Sequence, residues 1–147
     1  MKTRIVMLNT KSSIIATVAN EMKLTYWREY YGLDGVFYEN ASSALSSVGE
    51  YARYFTVIFE HENDTKTSYI EMNKLTLFNA PLKVLITYPP KNKKATGNII
   101  EKYSEIVQEA DVPNSQRHMV IFGIRNNEKI EWENYLYENG KFNLERK

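Results

Sequence analysis

The chain has 147 residues, a formal net charge of +1 and no cysteine. Its length supports one sizeable hydrophobic core and predicts a single domain over residues 1–147. The near-neutral charge excludes bulk attraction to nucleic acid or membrane and leaves only local patches, and the missing cysteine excludes disulfides, zinc–thiolate sites and thiol catalysis.

In chain order, the apolar run within Met1 to Asn9 is too short for a signal peptide or a membrane span, so the expectation is a cytoplasmic protein with no membrane partner. Ser12 or Ser13 is placed to cap a first helix in which Ile15, Val18, Ala19 and Met22 share a face, ending near Leu24. Thr25 to Tyr31, with four aromatics in seven residues, predicts a strand. Gly32 and Gly35 bracket a turn around Leu33 and Asp34, and Val36 to Tyr38 continues as a short second strand. Asp34 thus stands at the entry of a hairpin, where an aspartate ordinarily satisfies nearby backbone N–H groups. Ala41, Ala44, Leu45 and Val48 recur at helical spacing and predict a short surface helix or ordered loop.

Tyr54 to Asn63 is the most informative stretch. Phe55, Val57 and Phe59 alternate with Ile58, so both faces are apolar until Glu60 and Glu62, which share a face because side chains alternate along a strand. That pattern predicts a central strand with carboxylates at its C-terminal end, where open α/β sheets collect ligands. The other reading of Glu60 and Glu62 is a wet loop that keeps the chain soluble. His61 alternates to the opposite face and is expected to be a packed or hydrogen-bonded imidazole. His118 has no visible partner.

Ser68 and Glu71 form a capping-box pattern opening a helix to about Asn79. Lys83 to Tyr88 predicts a second buried strand, joined to the first by a parallel, right-handed crossover. A basic loop, Lys91 to Lys94, precedes an amphipathic helix carrying Ile99, Ile100, Tyr103, Ile106, Val107 and Ala110 on one face and closed by Pro113. Met119 to Ile124 reads as a further strand. Asn139-Gly140 predicts a type I′ hairpin joining Trp132 to Tyr137 with Phe142 to Leu144. The expected class is therefore α/β, a mixed central sheet flanked by helices with a C-terminal antiparallel hairpin. No glycine-rich phosphate loop or histidine-based triad is present in the pattern.

An N-terminal helix, an aspartate entering a strand, an apolar strand ending in Glu-x-Glu, then helix and strand: over Ser12 to Tyr88 this order resembles the PD-(D/E)XK nuclease superfamily. The resemblance implies a restriction-endonuclease-like core and metal-dependent phosphodiester hydrolysis of nucleic acid, most naturally DNA. It places Asp34 as the first acid and Glu60 as the second, with Glu62 where the family's lysine is expected and Glu29 as an additional acid. Asp34, Glu60, Glu62 and Glu29 would then hold magnesium or manganese, whose hard oxygen-loving character suits carboxylates. Glu62 would serve as general base or second-ion ligand, and Lys74 would replace the missing cation; the other reading of Lys74 is a solvated lysine on a helix surface. The alternative function is a catalytically inactive protein of the same fold that binds nucleic acid or assembles with partners. Lys91, Lys93 and Lys94 are the candidate phosphate contacts, and Trp132, Tyr135 and Tyr137 the candidate interface of a homodimer.

Overall fold

The structure, a computed structural model, describes residues 13–40, 52–113 and 115–145. Ser12, the opening segment and the helix expected around Ala44 lie outside these residues. Contacts divide the chain into two compact units, Met1–Phe59 and Glu60–Lys147.

In the first unit, helix α1 (Ile14–Glu21) starts where Ser13 Oγ accepts the Ala16 N–H at 3.0 Å. It ends in a Schellman arrangement, with Leu24 N–H donating to Ala19 O and Lys23 N–H to Asn20 O while Lys23 takes φ 58°. Ile15 and Ala19 are buried, whereas Val18 and Met22, expected beside them, are exposed. Met22 follows the last helical residue, and within the helix the buried stripe is Ile15 and Ala19, one turn apart.

Strands β1 (Thr25–Tyr30) and β2 (Leu33–Asn40) pair antiparallel, Tyr30 opposite Leu33. The turn between them is Tyr31-Gly32, with φ 47° and 80°, the signs a two-residue type I′ turn needs. This corrects the sequence expectation, which put the turn around Leu33 and Asp34; both already belong to β2. Gly35 is likewise a strand residue, opposite Phe59 of β3 (Ala52–Glu62). A Cβ there would lie 2.4 Å from Phe59 Cζ and 2.7 Å from Tyr26 Cε2. Tyr26, Phe37 and Phe59 thus form an aromatic cluster with ring centroids 5.5–6.0 Å apart over a residue without a side chain.

In the second unit, α2 (Ser68–Leu77) leads to β4 (Leu82–Thr87), then α3 (Lys93–Glu109), β5 (Arg117–Asn126), β6 (Lys129–Glu138) and β7 (Lys141–Leu144). Strand β4 runs parallel to β5, and β5–β6 and β6–β7 are antiparallel. The capping box is not made: Thr67 occupies the cap position but its Oγ1 donates to Asp64 O rather than accepting a helix N–H, and Ser68 Oγ contacts Thr65 O and Tyr103 OH. Helix α3 buries Ile99, Tyr103 and Val107, and the Tyr103 ring packs 6.3 Å from Phe122. Ala110, expected on that face, is exposed because the helix has ended. The Asn139-Gly140 turn has φ 53° and 80°, as its sequence predicts. Strands β5 and β6 both run beyond their apolar cores, since backbone pairing continues through Arg125↔Ile130 and Asn126↔Lys129. The molecule is α/β with parallel and antiparallel strands, and no helix among the described residues is long and apolar enough to cross a membrane.

The Gly35 contact generates a test. Gly35→Ala should lower stability by about 1–3 kcal/mol, because the added methyl must displace two packed rings. Gly97→Ala, in α3 with nothing within 4 Å of the built Cβ, should raise it by about 0.5–1 kcal/mol. Urea unfolding of both variants checks the contrast, and a neutral Gly35→Ala would refute the close packing.

Candidate functional site

Strand β3 ends in Glu60-His61-Glu62. Glu60 is 3% exposed and His61 5%, while Glu62 is half-buried. A carboxylate so far from water needs a partner. Lys74, on the second turn of α2, supplies it, donating from Nζ to Glu60 Oε1 at 2.9 Å. The same ammonium pairs with Glu71, one turn earlier on the helix. Burial lowers the Lys74 pKa, but hydrogen bonds and charge from Glu71 and Glu60 more than reverse this and hold it above its ordinary value. The solvated-lysine reading of Lys74 is therefore replaced by a lysine shared between two carboxylates. Removing one partner of a fully buried pair costs about 3–5 kcal/mol; the 30% exposure of the Lys74 side chain places this pair below that range.

Glu62 takes a different task. Its Oε1 accepts the Asp64 N–H at 2.9 Å, and Asp64 Oδ1 accepts the Lys66 N–H at 2.9 Å, so the two acids shape the turn that delivers α2. His61 Nε2 lies 2.8 Å from Tyr88 OH, the hydrogen-bonded imidazole that alternation predicts. Burial pushes the Tyr88 hydroxyl up to about 12, so it remains protonated and able to donate to that nitrogen.

Asp34 and Glu29 belong to the first unit. Asp34 is the second residue of β2 and half-buried; Tyr26, raised to about 12 mainly by burial, also feels the Asp34 and Glu29 charges against that of Arg28. Glu29 is exposed, has φ 55°, and pairs with its neighbour Arg28 at 3.0 Å. Among the described residues, no group of three histidine, aspartate or glutamate side chains converges to hold a metal ion.

The basic segment is half loop and half helix. Lys91 Nζ donates to Asn126 Oδ1 at 2.6 Å, which ties the segment to the β5–β6 turn. Asn92 Oδ1 caps α3 by accepting the Lys94 and Ala95 N–H groups, and Lys93 and Lys94 are the first helical residues. All three lysines are exposed, the first turn of α3 carries no acid, and none of the ion pairs among the described residues includes Lys91, Lys93 or Lys94.

A second buried polar group escaped sequence reasoning. Lys83 and His118 face each other across parallel β4 and β5, 0% and 1% exposed. Lys83 Nζ has a long contact to Thr76 O at 3.5 Å, and neither His118 ring nitrogen has a hydrogen-bond partner. Burial depresses Lys83 to about 8; burial and the Lys83 charge depress His118 to about 4. His118 forms part of the wall of a cavity of about 660 Å³ that also touches Val107, Gln108, Asp111, Tyr137 and Asn139, and none of the carboxylate cluster. The available signal was the run itself: every residue of β4 from Lys83 to Thr87 is buried, so a lysine inside that run has no exposed face to take.

No protein-family model matches the chain, and no curated protein matches it. The likeness to PD-(D/E)XK nucleases stands on the motif residues alone.

The buried basic pair sets a pH dependence. Between pH 6.5 and about 4 the unfolded chain binds a proton that native His118 refuses, so stability falls as pH falls through this window. At roughly 1.4 kcal/mol per pKa unit, the loss is on the order of 3 kcal/mol. Between about 8 and 10.5 the unfolded Lys83 is the better proton binder, so stability rises with pH there. Urea midpoints from pH 4 to 10 measure both arms, and His118→Leu should remove the acid arm's excess slope.

Proposed function

We propose that the chain is a nucleic-acid-binding module whose phosphate-contacting element is the N-terminus of α3 with Lys91, Lys93 and Lys94. The observation that supports this reading is the uncompensated charge of that element. A helix N-terminus already carries about half a positive charge, which disfavours lysines within the first turn. Here Lys93 and Lys94 occupy that turn and Lys91 precedes it, all exposed, with no carboxylate paired to them among the described residues. An anion is the ligand that turns this repulsion into attraction, and a polyphosphate backbone suits three cations in a row better than a single small anion does.

A second reading, magnesium- or manganese-dependent cleavage by a restriction-endonuclease-like core, has the Lys74–Glu60 hydrogen bond in its favour. It puts a cation beside the acid where the motif lysine is missing. The donor set supports the metal less well: Glu60 is held by Lys74, Glu62 is engaged in the turn before α2, and no trio of donors converges among the described residues. We therefore assign no catalytic step to Asp34, Glu60, Glu62, Glu29 or Lys74. Of the three residues expected at a homodimer interface, Tyr135 and Tyr137 are half-buried against Phe122 and Phe142 and Trp132 is exposed, so we do not propose the homodimer further.

The two readings separate in one set of measurements. Replacing Lys91, Lys93 and Lys94 by alanine should weaken binding of a duplex oligonucleotide and flatten its salt dependence by up to about 0.9 log units per lost phosphate contact. An unchanged salt slope would remove the binding reading. Magnesium should leave the melting temperature unchanged; a rise that Glu60→Gln abolishes, together with cleavage of supercoiled DNA, would establish the nuclease instead.

A further inference from the structure

On one face of the β4–β5–β6 portion of the second unit, two aromatic rings lie over a bare backbone. Gly123 is opposite Trp132 in the β5–β6 ladder, and a Cβ built on it would meet Tyr88 Cδ1 and Cε1 at 2.6 Å and Trp132 Cζ3 at 3.0 Å. Both rings therefore rest against the strand where any other residue would hold them off. They also touch each other, centroids 6.1 Å apart at 61°. Tyr88 is anchored further through its hydroxyl to His61 Nε2. Trp132 nonetheless stays 47% exposed, so a large ring is held in place with much of its surface in water.

Charge lies next to the rings. Arg125, two residues beyond Gly123 and hence on the same face, is exposed opposite Ile130. One residue further, Asn126 Oδ1 receives Lys91 Nζ, which fixes the first lysine of the basic segment at the end of this strand. Glu131, opposite Ile124, belongs to the other face of the ladder, where Asn126 Nδ2 donates to it. Gly123 to Arg125 spans roughly 7 Å at about 3.3 Å per residue, the reach of one nucleotide.

We infer that Tyr88, Gly123 and Trp132 form a stacking platform for an unpaired base, with Arg125 contacting a flanking phosphate, so that the partner is single-stranded nucleic acid. The inference rests on the proposed function and adds to it the strand state of the ligand. A duplex hides its base faces inside the stack, whereas a single strand offers them to any rigid ring. The platform suits that task because its rings are ordered before the ligand arrives, and the neighbouring charge complements a phosphate backbone rather than another apolar surface.

The test uses the full-length chain in EDTA, so that no cleavage intervenes, in a Trp27→Phe background that leaves Trp132 as the only tryptophan. Titration with a twelve-residue oligothymidylate should quench Trp132 emission saturably, and a blunt duplex of the same length should quench it far less. Trp132→Ala should weaken oligothymidylate binding about tenfold or more, and Trp132→Phe should retain most of it, with unchanged circular dichroism in both. Arg125→Ala should reduce the salt slope by roughly 0.7 for one lost single-strand phosphate contact. Equal affinity in wild type and Trp132→Ala would overturn the platform while leaving the lysine-dependent proposal intact. Absence of binding to both oligonucleotides would remove the proposed function itself. Emission that changes with protein concentration alone would show that the ring is covered by a second copy of the chain, which also overturns the inference.

Discussion

A carboxylate out of water has few ways to remain charged, and the Lys74–Glu60 pair is the one on which the second unit's polar chemistry depends. Glu60 is buried near the end of an apolar strand, and α2 delivers an ammonium to it. That requirement reaches backward through the chain. The turn between β3 and α2 must hold a fixed shape for Lys74 to arrive, and Glu62 and Asp64 fix it by accepting backbone N–H groups. Glu71 offers the same ammonium a second carboxylate from within its own helix. The acids that look alike in the sequence thus divide into a buried ion-pair partner, a turn former and a helix-borne counter-charge.

Both units use the absence of a side chain to let aromatic rings approach a strand. In the first, Gly35 admits Phe59 and Tyr26; in the second, Gly123 admits Tyr88 and Trp132. The surroundings give the two devices different meanings. Phe59 is 2% exposed, so its contacts serve cohesion, whereas Trp132 retains nearly half its surface in solvent. Burying an aromatic ring is a large favourable term, and a ring held at a strand yet left wet is where a partner would find the least ordering cost.

Much of this was legible in the residue order. The Asn139-Gly140 hairpin, the apolar β3 and β4, the long α3 and the opposite facing of His61 all follow from period and turn chemistry that act locally. What could not be read were features decided by strained backbone and by side-chain partners distant in sequence. The first hairpin turns at Tyr31-Gly32 because Tyr31 tolerates a left-handed φ that propensity disfavours, which moves Leu33 and Asp34 into a strand. The Ser68–Glu71 capping pattern was present but unused, since Tyr103 and Lys74 offered those side chains other partners. The carboxylates were correctly singled out as unusual, yet their spacing alone could not reveal that a lysine fourteen residues on would occupy Glu60.

The Lys83 amine has a chemical consequence of its own. With its pKa brought down to about 8, about half of it is the free base in mildly alkaline solution, a state in which an ordinary surface lysine is still almost wholly protonated. Free amines acylate readily, but a side chain with 0% exposure cannot meet an activated ester while the fold is closed. Acylation of Lys83 therefore waits on excursions that part β4 from its coverings, and its rate under dilute reagent is a clock for the opening of the second unit. The surface lysines, labelled at once, set the zero of that clock.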